Sequence, residues 1–198
     1  MARHGAFELA VPVSAVDHLT GSAHAPVTVV EYGDFECPNC KQAQSALKLL
    51  LERFDGRARL AFRNFPLEDV HPHALAAAEA AECAGGQGQF WPMHDLLFAN
   101  QDQLDDDSLK AYAKQIGLDG AQMLKEVYAG RFDALIDAHL QEGAAARVNA
   151  TPTLFINGRQ HMLPVKLQFL QRSVEDELEW QQNKAFVYES RDGREKKG

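Results

Sequence analysis

Two short apolar segments of the chain have the pattern of buried strands. Residues 27–32 form a β-branched run that Gly33 ends, and residues 58–65 form a second apolar segment that Pro66 closes. Between them, apolar side chains recur on one stripe of residues 40–54, as they do in an amphipathic helix. A strand, a helix and a second strand in close succession predict a βαβ unit and hence an α/β fold.

The middle of the chain is predicted to be helical throughout. Apolar side chains return at helical spacing in successive segments of residues 73–140, and none of these segments alternates as a strand does. Strand character resumes at residues 153–156, where Asn157-Gly158 gives a strong hairpin signal and residues 160–163 are the expected partner strand. A last amphipathic helix is predicted from about residue 165 to residue 182.

These elements divide the chain into five expected parts. Residues 1–26 are a loose N-terminal lead-in, residues 27–66 the βαβ part, and residues 67–149 a helical insertion. Residues 150–185 form a C-terminal ββα part, and residues 186–198 are a charged tail that is expected to fray.

Charge and hydropathy argue against two kinds of partner. The chain has 20 basic and 28 acidic residues and a net charge of −8. Its basic residues are scattered along the sequence and cluster only at the last few positions. No nucleic acid is therefore expected as a partner, and no apolar run is long enough to insert into a membrane.

The first residues lack the apolar segment of a secretory signal. We expect a cytoplasmic protein if Met1 is the native start, and a periplasmic or other extracytoplasmic protein if a signal peptide was removed.

The sequence Cys37-Pro38-Asn39-Cys40 stands at the predicted start of the first helix. With Cys37 at the N-cap, Pro38 falls at N1, where proline is favoured, and the free N–H groups that follow can point at the Cys37 sulfur. These donors and the helix dipole favour a thiolate, so the pKa of Cys37 should fall below its usual value of about 8.5. The second cysteine, three residues later, is close enough to form a disulfide with the first.

This arrangement predicts a redox dithiol that needs no cofactor. Cys37, at the helix tip, would attack a substrate disulfide, and Cys40, one turn inside, would resolve the mixed disulfide. Cys40 then needs a proton acceptor, for which Glu31 on the preceding strand is a candidate, because burial would raise the pKa of its carboxyl. A solvated glutamate at the end of the strand is the alternative interpretation of Glu31.

Half of a zinc site is the other chemistry that the cysteine spacing allows. A zinc ribbon needs a second pair of ligands, for which the chain offers only Cys83 and scattered histidines. His71 and His73 form the one suggestive cluster, and they stand at the start of a predicted helix, where capping is the commoner use. We predict no metal site.

Three segments carry further motifs: residues 25–40 (APVTVVEYGDFECPNC), residues 89–98 (QFWPMHDLLF) and residues 150–158 (ATPTLFING). In this order they resemble the DsbA-like branch of the thioredoxin superfamily, a family of thiol–disulfide oxidoreductases, and the resemblance extends from about residue 17 to residue 182. It implies a thioredoxin fold with an all-helical insertion between the βαβ half and a β-hairpin half that contains a cis-proline.

The resemblance also implies site residues. It places Pro152 in the cis form beside the dithiol, with the Thr151 backbone turned towards Cys37 so that an extended substrate segment can pair with it. It places a buried acid where Glu31 stands. The expected substrate-binding residues are Pro38, Asn39, Thr151 and Pro152. The expected partners are protein or peptide thiols and disulfides, with glutathione as a further candidate, and a redox partner that recycles the dithiol.

One residue departs from the family's strongly oxidising members, whose dipeptide between the cysteines resembles Pro-His. Asn39 cannot supply an imidazolium charge, so the thiolate should be less stabilised and the couple less oxidising. The direction of exchange stays open, because the same dithiol would rest reduced in the cytosol and act as a reductase or isomerase. The alternative function is a non-catalytic module that binds a peptide or partner in the groove beside Pro152.

Several other residues are expected to be structural. Cys83 lies on a helical face of small residues and should be a buried, inert thiol. His94 and His139 lie within apolar stripes, which is typical of satisfied core histidines. Phe90 and Trp91 should fix the insertion onto the α/β frame.

Two charged features have a less specific interpretation. Arg63, on the second strand, is expected either to pair with Glu31 or to face solvent. The acidic run at residues 105–107 is expected to cap a helix and to complement its dipole.

Overall fold

A five-stranded mixed sheet forms the centre of the computed structural model, which describes residues 7–195 and the side chains of residues 7–183. The strand order is β1-β3-β2-β4-β5. Strands β2 and β3 are parallel, and the other neighbouring pairs are antiparallel. The strands are β1 (His18–Gly21), β2 (Val27–Gly33), β3 (Ala58–Asn64), β4 (Thr153–Ile156) and β5 (Arg159–Gln160).

Two helices pack on one face of this sheet, and a group of helices connects β3 to β4. The first two are α1 (Pro38–Arg53) and α7 (Leu167–Glu195), whose apolar side chains contact β2, β3 and β4. The connecting helices are α2 (Ala74–Gly85), α3 (Phe90–Ala99), α4 (Asp106–Gln115), α5 (Gly120–Tyr128) and α6 (Asp133–Ala145). The βαβ unit and the helical middle of the chain are thus present as the hydrophobic pattern predicts.

Side-chain alternation along β2 directs one acid towards α1. Val27 and Val29 belong to the core between the sheet and α1, whereas Val30 and Tyr32 belong to the core on the opposite face. Because successive side chains of a strand point to opposite faces, Glu31 lies on the side of the valines that face α1. The fold therefore buries this carboxyl beneath the helix that carries the two cysteines.

Contacts with β1 fix the helical part of the chain onto the sheet. The ring of Phe90 stacks on His18 with 3.7 Å between centroids, and Trp91 Nε1 donates a hydrogen bond to the Leu19 carbonyl at 3.0 Å. This confirms the packing role predicted for Phe90 and Trp91. The lead-in was expected to be loose, yet its residues 18–21 form strand β1, which pairs with β3. The pattern of the short segment HLTG does not predict a strand.

Both ends of the C-terminal half differ from the prediction. The partner strand of the hairpin is Arg159–Gln160 rather than residues 160–163, although His161 N still donates to the Leu154 carbonyl at 2.8 Å. Helix α7 continues to Glu195, beyond the expected end near residue 182, so that much of the expected tail has a helical backbone. Residues 196–198 lie outside the described residues.

Arg63 has neither of the two expected environments. It follows Phe62, the residue in register with Glu31, so the alternation of β3 places it on the opposite face, away from that acid. The side chain is 2% exposed. Its guanidinium donates to Asp17 Oδ1 at 2.7 Å and to the Tyr32 hydroxyl at 3.1 Å, which makes it the centre of a buried polar network.

Candidate active site

The start of α1 has the backbone geometry that its sequence predicts. Cys37 is the N-cap, with φ −76° and ψ 120°, and Pro38 occupies the first helical position. The Cys37 carbonyl accepts hydrogen bonds from the N–H groups of Cys40 at 3.0 Å and Lys41 at 3.2 Å. The side chain of Cys37 makes no capping hydrogen bond, but its N-cap position puts the sulfur near the positive end of the helix dipole.

The two cysteines of the motif are free thiols with unequal access to solvent. Cys37 is 5% exposed, whereas Cys40 is 0% exposed. Cys37 Sγ donates to the Thr151 carbonyl at 3.4 Å, and Cys40 Sγ accepts from the Asp34 N–H at 3.5 Å. An approaching sulfur atom can therefore reach Cys37 and not Cys40.

The surroundings of Cys37 favour its ionised form. The thiol of Cys40, which can donate a hydrogen bond to a thiolate, is the largest cause that lowers the pKa of Cys37 from 9.0 to about 5. The Thr151 side chain and the backbone N–H groups of Cys40 and Asn39 lower it further, against the opposing effect of burial. These contacts favour the thiolate form of Cys37 at neutral pH.

Cys40 and Glu31 instead favour their neutral, protonated forms, because both side chains are buried away from water. Burial is the largest cause that raises the pKa of Cys40 well above its usual range, and the neighbouring Cys37 thiol and Glu31 carboxyl add to this rise. Glu31 is 0% exposed, and burial raises the pKa of its carboxyl from 4.5 to about 8. The structure therefore shows a buried Glu31 close to the dithiol, not a solvated glutamate at the end of a strand.

The loop before β4 brings Thr151 and Pro152 to the dithiol. The peptide bond between these two residues is cis, and the Thr151 carbonyl is the acceptor for Cys37 Sγ. The Thr151 hydroxyl is buried and has no hydrogen-bond partner in the reduced form, which leaves it free to donate to a Cys37 thiolate. The hydroxyl of Thr153 donates to the Ala150 carbonyl at 2.7 Å and fixes the turn.

Two glutamines at the site were missed by the sequence analysis. Gln44 Nε2 donates to both carboxylate oxygens of Glu31, at 3.1 Å each. Gln101, which follows α3, donates from Nε2 to the carbonyls of Phe35 and Cys37, both at 2.8 Å. The spacing of Gln44, four residues after Cys40 on the same helical face, is a signal that could have identified it, whereas Gln101 had none.

His71 and His73 bind carboxylates near the site. His71 Nδ1 lies 2.7 Å from Asp34 Oδ2, and His73 Nδ1 lies 3.0 Å from Glu36 Oε1. These pairs connect the loop before α2 to the segment that precedes Cys37. Within the described part of the chain, no group of three or more His, Cys, Asp or Glu side chains could hold a metal ion.

The remaining cysteine and the core histidines lie within the hydrophobic interior. Cys83 is buried, and burial raises the pKa of its thiol to about 12, as expected for an inert cysteine. His139 Nδ1 accepts a hydrogen bond from the Asn64 N–H at 3.3 Å. His94 is satisfied only in part, because its Nδ1 contacts Asp95 Oδ1 at 2.9 Å while its buried Nε2 has no partner.

The acidic run at residues 105–107 caps a helix, as predicted. Asp105 is the N-cap of α4, and its side chain accepts hydrogen bonds from the N–H groups of Asp107 and Ser108.

In the described part of the chain, no helix has the length and apolarity that a membrane crossing requires.

Comparison with known sequences relates the chain to two groups of proteins. A family model described as thioredoxin matches residues 14–176. The Na⁺/H⁺ antiporter NhaA 1 of Salinispora arenicola is 47% identical over 172 residues, which are 86% of this chain and 26% of the antiporter. The NhaA antiporter of Herminiimonas arsenicoxydans is 35% identical over 145 residues, 73% of this chain and 23% of that protein. The chain thus spans about a quarter of these curated relatives.

Solved structures share the fold over most of the chain. BdbD from Bacillus subtilis in its oxidised form has a TM-score of 0.75 and 24% identity, over 81% of this chain and 92% of BdbD. Pseudomonas aeruginosa DsbA2 has a TM-score of 0.67 and 27% identity, over 84% of this chain and 97% of DsbA2. These likenesses confirm the fold expected from the resemblance. Since the family model also matches most of the sequence, the chain belongs to the thioredoxin superfamily and to its DsbA-like branch.

Proposed function

We propose that this chain is a thiol–disulfide oxidoreductase that exchanges disulfides with protein or peptide thiols through Cys37-Pro38-Asn39-Cys40. The observation that carries the proposal is the unequal pair of sulfurs at the start of α1. Cys37 is reachable and has a pKa of about 5, whereas Cys40 is sealed behind it with a raised pKa. One sulfur is ready to attack while the other holds its proton until a mixed disulfide needs to be resolved.

The first step uses Cys37 as the nucleophile. Its thiolate attacks one sulfur of a substrate disulfide, the Cys37–substrate bond forms, and the substrate's own disulfide bond breaks. The second substrate sulfur leaves as a thiolate and takes a proton from water. In this step the Thr151 hydroxyl and the N–H groups at the helix start hold the attacking charge before it moves away.

The second step uses Cys40 and Glu31. Cys40 attacks Cys37, which releases the remaining substrate thiolate and leaves the Cys37–Cys40 disulfide. The Cys40 proton moves to the Glu31 carboxylate, so that two electrons have passed from the dithiol to the substrate. Run in reverse, a substrate thiolate attacks Cys37, and Cys40 leaves and takes its proton from Glu31. The electrons move between the dithiol and the substrate, and the protons move between these groups and water, so the exchange needs no cofactor.

The substrate would bind beside the cis-proline. The proximity of the Thr151 backbone to Cys37 Sγ, 3.4 Å from the carbonyl oxygen, supports pairing of an extended substrate segment with Thr151 and Pro152. Pro38 and Asn39 flank the sulfur on the helix side and would line the other side of the site. Glutathione is the small thiol that could use the same position, and a separate redox partner would recycle the dithiol.

The direction of exchange depends on the redox poise of the compartment. The cytoplasmic expectation has no support from the comparisons, whereas similarity to DsbA proteins favours the extracytoplasmic alternative, in which a disulfide persists. Asn39 in place of an imidazolium makes the couple less oxidising by about 30 mV for every 1.4 kcal/mol of lost thiolate stabilisation. Equilibration of the dithiol with a glutathione redox series would measure the potential and decide between oxidase and reductase.

The test of the function is turnover of a fluorescent peptide disulfide. Cys37→Ser should abolish exchange, whereas Cys83→Ala, which changes a buried cysteine outside the site, should leave it unchanged. An active Cys37→Ser variant would contradict the proposal. Capture of peptides by a Cys37→Ala/Cys40→Ala variant, combined with absence of turnover in the wild type, would instead favour the non-catalytic binding module.

A further inference from the structure

The buried carboxyl of Glu31 accepts its hydrogen bonds from one side chain among the described residues. Its strand neighbours in register are Phe62 of β3 and Leu154 of β4, both apolar. In the described part of the chain, the hydrogen bonds to its carboxylate both come from Gln44 Nε2, at 3.1 Å to each oxygen. The orientation of this carboxyl therefore depends on one amide group.

The side chain of Gln44 also reaches a solvent-accessible groove beside α1. It lies four residues after Cys40 and so on the same face of the helix. Its side chain is half-buried and lines a groove of about 580 Å³ between α1 and α3, together with Lys41, Trp91 and Phe98. Gln44 therefore contacts both a carboxyl that is buried from water and a groove that is open to solvent.

The amide of glutamine can serve both protonation states of a carboxyl. Its N–H₂ group donates to the carboxylate, and after a rotation its carbonyl oxygen accepts from the carboxylic acid. A leucine or methionine at this position could do neither, and a lysine would hold the acid permanently ionised. A glutamine suits a carboxyl that gains and loses a proton in every cycle.

We propose that Gln44 is a positioning residue for proton transfer, which holds Glu31 beside Cys40 and sets the pH at which this carboxyl accepts the Cys40 proton. The inference rests on the proposed function, in which Cys40 gives its proton to Glu31. Gln44 touches neither sulfur nor substrate in this scheme and acts only through the acid.

The charged surroundings of Glu31 agree with this role. The titratable groups that face it are Cys37 and Cys40 of α1, and the charge of Cys37 raises its pKa while the hydrogen bond from Gln44 lowers it. The β3 and β4 residues in register with the acid, Phe62 and Leu154, are both apolar. The other ionisable groups of the groove, among them Lys41 and His94, are not among the causes that shift its pKa.

The test is Gln44→Met, which keeps the length of the side chain and removes its hydrogen bonds. Its matched control is Gln42→Met, on an exposed position of the same helix. The readouts are the carboxyl NMR titration of Glu31 in the reduced protein and the pH dependence of the resolution of a Cys37 mixed disulfide. Gln44→Met should move both midpoints upward by about one pH unit. At a pH below the midpoint, the mixed disulfide should then be resolved roughly tenfold more slowly than in the wild type.

A double variant separates positioning from a merely structural effect. In a Glu31→Gln background, Gln44→Met should cause no further change in the pH profile, because the acid through which it acts is gone. An unshifted Glu31 titration in Gln44→Met, or an equal shift in Gln42→Met, would overturn the inference. If the wild-type protein exchanged no disulfides, the proposed function would fail, and the titration of Glu31 would still decide whether Gln44 controls it.

Discussion

Replacement of Cys40 by alanine tests the origin of the Cys37 thiolate. Cys40 is the largest cause of the low pKa of Cys37, and Cys40→Ala removes that donor while the Thr151 hydroxyl and the helix N–H groups remain. A hydrogen bond to a charged group contributes about 1.5–3 kcal/mol, which corresponds to about one to two pH units. The pKa of Cys37 should therefore rise from about 5 to roughly 6–7.

The assay is the ultraviolet absorbance of the thiolate, followed from about pH 3 to about pH 9. The transition belongs to Cys37, because burial keeps the pKa of Cys40 above this range and that of Cys83 at about 12. Cys83→Ala should give the wild-type curve and serves as the control. A wild-type midpoint near the ordinary value of about 8.5, or the same low midpoint in Cys40→Ala, would refute the reasoning.

Two further variants test the buried polar groups. Folding raises the pKa of Glu31 from 4.5 to about 8, so the reduced protein loses stability as the pH rises between these values. Glu31→Gln should therefore raise the free energy of unfolding at pH 7 by up to about 3 kcal/mol and leave it unchanged at pH 4, as measured by urea denaturation. An equal gain at both pH values would contradict the buried-acid assignment. Arg63→Met removes the cation from buried Asp17 and should cost about 3–5 kcal/mol in the same assay, whereas Arg53→Met on the surface should cost less than about 0.5 kcal/mol. A small loss in Arg63→Met, or an Asp17→Asn/Arg63→Met variant no more stable than Arg63→Met, would show that the network is not coupled in this way.

Local sequence signals were sufficient to predict the geometry of the site around the two cysteines. The N-cap position of Cys37 follows from the proline at N1 and the free N–H groups of a helix start, and the structure has this geometry. The alternation of β2 likewise directs Glu31 at α1. These features depend on residues close in sequence, so a short segment determines them.

Long-range contacts account for what the sequence analysis missed. β1 is a strand because its partner β3 offers an open edge, and the four residues 18–21 hold too few apolar side chains to show this. Arg63 pairs with Asp17, forty-six positions away, and no periodicity connects two such residues. Gln101 reaches the Cys37 carbonyl from the end of α3, a contact that only the packing of the helices creates.

The opposite pKa shifts of Cys37 and Glu31 also bear on the order of the two steps in the proposed exchange. In the reduced protein the Cys37 thiolate is one of the causes that raise the pKa of Glu31, so around neutral pH the acid largely retains its proton beside that negative charge. Formation of the mixed disulfide removes the charge from Cys37 and with it this effect on Glu31. The pKa of the carboxyl then falls, and more of it is ionised when Cys40 has to lose its proton. In the proposed mechanism, loss of the Cys37 charge in the first step therefore makes Glu31 a better proton acceptor for the second step.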